Sequence, residues 1–228
     1  AAFTLAEGSR DDGLRRVDSD GAALTLFGAA DLAGMRFDGY LAGGWDGHDT
    51  ARTILAGASA ASATASVRDR WAGAGVSVGV PRSWGALTVM PLVRLDVVRV
   101  ALEGYREAGA GFLSATVGDY LEVAAEAGLG AEVSYAWSAE EGWLVPWGRL
   151  LVERALARGE RVPVVLQDAA GTAFTLERDA ADPLWLEAGV GLGWWPKPGW
   201  GLTADWRADM GRGGPPGHAV TVGGRLRW

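Results

Sequence analysis

Two histidines, His48 and His218, are the side chains of this sequence that titrate near neutral pH, and each has aspartate nearby: Asp46 and Asp49 beside the first, Asp209 before the second. A histidine held by a carboxylate is the core of general-base chemistry, so hydrolysis is the reaction to weigh. The plainer reading is a pair of solvated residues at the rim of a fold. A second set is larger. Glu122, Glu126 and Glu132 recur on one phase of an alternating run, and three acids on one face call for arginine partners, with Arg94, Arg149, Arg207 and Arg225 as candidates. Glu140-Glu141 falls in a turn and reads as solvent-facing. The chain has no cysteine and only the two histidines, without ligand spacing, so no metal site and no cofactor are expected. Gly211 to Gly217 lacks the strand-to-helix context of a phosphate cradle.

The elements that must position these charges are strands. From His218 to Trp228, Val220, Val222, Gly224, Leu226 and Trp228 alternate with Thr221, Gly223, Arg225 and Arg227. Trp200 to Met210 sets Trp200, Leu202, Ala204 and Trp206 against Thr203, Asp205, Arg207 and Asp209. Leu184 to Trp195 sets leucine and valine against Glu187 and three glycines. Leu121 to Trp137, Met35 to Trp45 and Ala72 to Val80 repeat the pattern, and shorter runs at 3 to 8, 22 to 32 and 144 to 156 complete it. A period of two means a strand with unlike faces. Between Val97 and Val98 the polar phase slips from Arg94 and Asp96 to Arg99 and Glu103, which predicts a bulge.

The connections alternate as well. Asp31 to Gly34, Pro81 to Gly85, Ser138 to Gly142 and Pro196 to Gly199 are short and turn-like, whereas 10 to 20, 57 to 65, 106 to 118, 158 to 182 and 211 to 217 are long. About ten strands with short turns at one end and long loops at the other fit an all-β, antiparallel up-and-down transmembrane β-barrel with short periplasmic turns and longer extracellular loops. Charges of both signs on the polar phase suit a narrow lumen, and the predicted lumen-lining set is Arg94, Glu122, Glu126, Glu132, Arg149, Glu153, Glu187, Asp205, Arg207 and Arg225. Tryptophans near the turns, Trp84, Trp143, Trp194, Trp195 and Trp200, suit an interfacial girdle.

Composition agrees. Of 228 residues, 21 are basic and 28 acidic, a net charge of -7, and the one lysine is Lys197, which argues against a nucleic-acid partner. No stretch approaches the roughly 18 apolar residues of a spanning helix. Mean hydropathy is near zero at +0.08 because two opposite faces average out.

The C-terminal run, with Thr221, Gly223, Leu226 and a terminal Trp228, resembles the signal by which the barrel-assembly machinery recognises outer-membrane proteins. Gly85 to Pro91 followed by Tyr105-Arg106-Glu107-Ala108-Gly109, then Gly142 to Pro146 with Glu153, the Trp45 to Arg52 run and His218, resembles the C-terminal translocator β-barrel domain of autotransporters (type V secretion) across essentially the whole chain. The resemblance implies a twelve-stranded barrel integral to the bacterial outer membrane, threaded by a helix and preceded by a passenger. Residues 1 to 10 look like its third strand, so residues 1–228 are expected to be the barrel domain without the first strands and the pore helix, the alternative being a barrel that closes with ten strands. It further implies no enzymatic activity. The partners it implies are outer-membrane lipid, the barrel-assembly machinery and the chain's own N-terminal passenger. The alternatives are an outer-membrane barrel protease, whose acidic and histidine clusters His48 and His218 resemble, and a porin-like structural barrel. A barrel phospholipase resembling a Ser, His and Asn arrangement is disfavoured because the sequence has no asparagine.

Overall fold

Alternating valine, leucine and tryptophan against glycine and charge builds, among the described residues, ten long strands in one antiparallel sheet. The computed structural model describes residues 2–11, 13–56, 59–140, 142–157, 161–167, 172–177, 184–197, 200–211 and 217–226. The strands are β1 (Ala2–Asp11), β2 (Arg15–Leu32), β3 (Met35–Ala56), β4 (Ser59–Gly79), β5 (Leu87–Leu102), β6 (Tyr120–Tyr135), β7 (Gly142–Ala157), β8 (Leu184–Lys197), β9 (Trp200–Met210) and β10 (Gly217–Leu226). They pair in chain order throughout, the up-and-down topology read from the sequence. Short strands Arg82–Trp84 and Trp137–Ala139 continue β4 and β6 at the turn end, where they pair with β5 and β7. Among the described residues β1 pairs only with β2 and β10 only with β9, so the sheet is an open arc.

The hairpin between β2 and β3 shows the turn chemistry. Ala33 and Gly34 both have positive φ, 52° and 77°, the type I′ combination whose twist matches that of paired strands. Among the described residues two register shifts occur, between Ala155 and Ala157 on β7 and between Trp194 and Lys197 on β8. None occurs at Val97 and Val98: the pairing of β5 with β4 and with β6 runs unbroken through both, so the predicted bulge is corrected. Arg99 stays on the outer phase because β5 leaves the apolar band there.

The strand lengths explain a second correction. At about 3.3 Å per residue and a tilt near 45°, Met35 to Trp45 covers the roughly 25 Å apolar band of a barrel. The 22 residues of β3 run on the order of 70 Å, so half the strand projects beyond it. Out there both faces meet water, hydrophobic alternation disappears, and the ladder persists without it. The links predicted at 10 to 20 and 57 to 65 are therefore mostly strand.

Two other predicted loops fold on each other. Residues 105–106, 115–117, 161–166 and 173–177 form a small second sheet around Ala115, Val117, Val164 and Tyr105. Glu107 clasps it to the β3–β4 hairpin. Its carboxylate accepts from Arg52 Nε (2.7 Å), Arg52 Nη2 (2.6 Å) and the Ala115 amide (2.8 Å). Ala108 and Thr64 exchange backbone hydrogen bonds of 2.9 Å alongside. The Arg52 hydrogen bonds, helped by the Ala115 amide, hold the Glu107 carboxyl below its usual range against the opposing effect of burial.

A carboxylate depressed in this way stabilises the cap above its unfolded pKa, and that contribution disappears as pH falls through the folded value. Amide exchange at Ala115 is expected to accelerate only below about pH 4 in the wild type. Glu107→Gln is expected to bring that acceleration to neutral pH, with a loss on the order of 1–2 kcal/mol of local protection. Unchanged exchange in the variant would count against the clasp.

Candidate functional site

Register fixes which side chains share the concave face. Tyr40 on β3 lies opposite Gly75, Gly75 opposite Asp96, Arg94 opposite Gly128, and Gly128 opposite Glu153. The outer phase is apolar and open: Leu41 is 63% exposed, Leu129 64% and Val222 77%, whereas Glu153 on the inner phase is 4% exposed. Charge is inside and hydrocarbon outside.

The inner face centres on two arginines sharing one carboxylate. Arg94 Nη1 donates to Glu187 Oε2 (2.8 Å) and Arg149 Nη2 to Glu187 Oε1 (2.9 Å). Arg94 also binds its own neighbour on the strand, Asp96, which accepts from the Tyr40 hydroxyl at 2.7 Å. Arg94 stands on β5 and Glu187 on β8, three strand spacings or about 14 Å along a flat sheet, so their contact requires a curved one. Glu153 lies 4.0 Å from Arg94 Nη1. Arg149 Nε and Glu153 Oε1 are buried without a hydrogen-bond partner among the described residues. Arg149 also lies 6.0 Å from the Trp147 ring centroid.

Glycine makes room for this layer. A Cβ at Gly75 would overlap the Tyr40 ring and the Asp96 carboxylate, one at Gly128 the Glu153 carboxylate, and one at Gly191 the Trp147 indole. The glycines of the polar phase therefore let long side chains lie flat across the sheet.

The other predicted lining residues occupy the same phase with separate partners. Glu132 stands opposite Arg149, Glu126 opposite Asp96, and Glu122 accepts from the Tyr120 hydroxyl at 3.4 Å. Arg207 pairs with Asp205 at 3.0 Å. The Arg225 backbone pairs opposite Gly201, and its side chain lies outside the described residues. Tyr40 and Asp96 were missing from the predicted set, although both share the phase of residues that were in it. Of the predicted girdle, Trp84, Trp194 and Trp200 are on the outer phase, the last two packed edge to face at 5.7 Å, and Trp137 joins them. Trp143 and Trp195 sit opposite each other on the inner phase at the turn end, because they share the parity of Arg149 and Glu187 on an unbroken ladder.

In the terminal strand, Thr221 stands opposite Asp205, Gly223 opposite Thr203 and Leu226 opposite Trp200, while Trp228 lies outside the described residues. Of the Glu140-Glu141 pair, Glu140 is exposed in a turn, and Glu141 lies outside the described residues. Gly211 has φ of 88°, and residues 212–216 are likewise outside them.

The histidines do not converge. His218 lies on the outer phase, stacked at 5.7 Å on Trp206. His48 is on the inner phase, with Nδ1 2.7 Å from Ser19 Oγ and Nε2 3.0 Å from Asp69 Oδ2. A histidine within reach of an aspartate was the feature that would favour an enzyme, and Asp69 supplies it where Asp46 and Asp49 were expected. Acyl transfer needs oxyanion donors as well. Ser19, His48 and Asp69 all sit in strands paired on both sides, which commits the neighbouring backbone N–H groups to the sheet. Among the described residues no group of three or more His, Cys, Asp or Glu is placed to hold a metal ion.

No curated protein matches the sequence. Among solved structures, the translocator domain of autotransporter NalP from Neisseria meningitidis is similar, with a TM-score of 0.71 at 16% identity, covering 99% of this chain and 73% of that one. That likeness concerns the fold. Residues 1–207 match the autotransporter beta-domain family, whose members are integral outer-membrane translocator barrels supporting passenger export, and the chain belongs to that family.

Proposed function

We propose that the inner face centred on Arg94, Arg149 and Glu187 is the surface along which a passenger segment is held in transit by exchangeable polar contacts. One observation carries the reading: the buried side of the sheet is ionic, while the exposed side is apolar. Arg94, Arg149 and Glu187 already hold one another, which keeps the centre of the layer stable when no segment is present. In this role no bond is made or broken, and the Ser19–His48–Asp69 row is a structural contact between neighbouring strands.

The rest of the reading rests on kinship with the family. The outer phase faces outer-membrane lipid. The passenger is the chain's own, on its N-terminal side. Residues 1–228 form one barrel domain whose free edges, β1 and β10, are joined through the family's first strands around a pore helix, because unpaired backbone in hydrocarbon costs several kcal/mol per group. Thr221, Gly223, Leu226 and Trp228 are the assembly signal bound by the barrel-assembly machinery.

Three outcomes are expected. Removing the Glu122 and Glu126 charges together, as glutamines, is expected to lower single-channel conductance and cation preference in planar bilayers; unchanged conductance would count against a charged lumen. Glu187→Gln, which strips both arginines of their shared acceptor, is expected to destabilise the folded barrel by on the order of 3 kcal/mol in denaturant unfolding. A loss below about 0.5 kcal/mol would show that the cluster is not structural. Deleting Trp228 is expected to reduce the heat-modifiable folded form in outer membranes severalfold, with normal assembly contradicting its role as a signal.

A further inference from the structure

Every arginine of the central inner cluster is paired, whereas the outer phase carries arginines that are not. On β4, β5 and β7 the first charged outer residue beyond the apolar band is Arg70, Arg99 and Arg154, and all three are exposed. Arg68 follows Arg70 on the same phase. Within the bounds of β4 to β7 no acid occupies the outer phase, and among the described residues Arg68, Arg99 and Arg154 make no ion pair. Arg70 has one weak contact, 3.4 Å to the exposed Glu103 just past the end of β5.

Their register places them at one height. Arg70 lies opposite Ala101, two residues beyond Arg99. Arg99 lies opposite Val123 on β6, and Arg154 opposite Ala127, four residues further along. The displacement is about two residues per strand and always in the same sense, which is the path a level line takes across tilted strands. Trp45 stands directly opposite Arg70, an aromatic at the edge of the band of the kind that marks a bilayer interface. Below the arginines the same phase presents Ala72, Val97 and Val152, surfaces for acyl chains. On β2 and β3 the corresponding height is acidic instead, with Asp18, Asp20 and Asp49.

We infer that Arg70, Arg99 and Arg154, supported by Arg68, form a belt that binds the phosphate groups of phosphorylated lipid headgroups in the outer leaflet. Guanidinium groups match phosphate oxygens in a two-pronged geometry, and a low-dielectric boundary strengthens the contact. The belt covers one sector of the wall, so it fixes bound lipid on the β4–β7 side and leaves the β2–β3 side without it.

The test uses the purified full chain in phosphatidylethanolamine vesicles doped with bisphosphorylated lipid A, dephosphorylated lipid A, or neither, with bound lipid read by native mass spectrometry. Preferential retention of the phosphorylated form is expected. It should fall about ten- to a hundredfold in Arg99→Gln/Arg154→Gln and partly survive in Arg99→Lys/Arg154→Lys. Arg82→Gln, at the turn end, should leave it unchanged. Heat-modifiable mobility confirms that each variant is folded, so loss of retention in a folded barrel supports the belt. Equal retention of both lipid A forms, retention unaffected by the double variant, or equally tight binding of inorganic phosphate alone would overturn it.

Discussion

The shared carboxylate of Glu187, holding Arg94 from one side and Arg149 from the other, is the contact through which the sheet becomes curved and its inner face charged. A lipid environment leaves few options. Backbone groups must pair within the sheet, and ionised side chains must face away from hydrocarbon. An alternating chain meets both demands by sending its charges inward, where they need partners close by. The glycines facing them belong to the same solution. At Gly75 and Gly128 a side chain would displace the carboxylates of Asp96 and Glu153, so the thin polar layer depends on residues that contribute no side chain to it.

Strand number, order and inner phase were legible in the sequence because within the bilayer the two environments differ sharply at every residue. Legibility ends where the bilayer ends. Arg99 looked like a slipped phase, although the ladder through Val97 and Val98 is continuous, since beyond the apolar band an outward arginine carries no penalty. The same loss of contrast concealed the outer halves of β2, β3 and β4 as loops. The small cap held by Glu107 was invisible for a different reason. Its strands come from two links far apart in sequence, and its main bond joins Arg52 to a residue 55 positions away. Tyr40 was half visible, sharing a phase with Arg36 and Asp38, but nothing in its own strand announces Asp96 two strands over.

The candidate chemistry sorts by the same two faces. His218 sits on the lipid side against Trp206, and His48 on the lumen side between Ser19 and Asp69. His48 meets Asp69, the contact the protease reading asked for, while the backbone N–H groups around it are committed to the sheet. The inner face keeps the polar contacts proposed to hold a moving polypeptide. The outer face is hydrocarbon, bounded by tryptophan at the turn end and, over β4 to β7, by arginine at the other.

The central claim is that the even positions of β5 face a watery lumen and the odd positions face lipid. With no native cysteine in the chain, single cysteines at 92 to 97 can be placed one at a time in the reconstituted barrel and treated with a charged, membrane-impermeant thiol reagent. The account predicts rapid labelling at 92, 94 and 96 and protection at 93, 95 and 97, with the protected set quenched by a lipid-borne probe. Uniform labelling, or the opposite alternation, would contradict it.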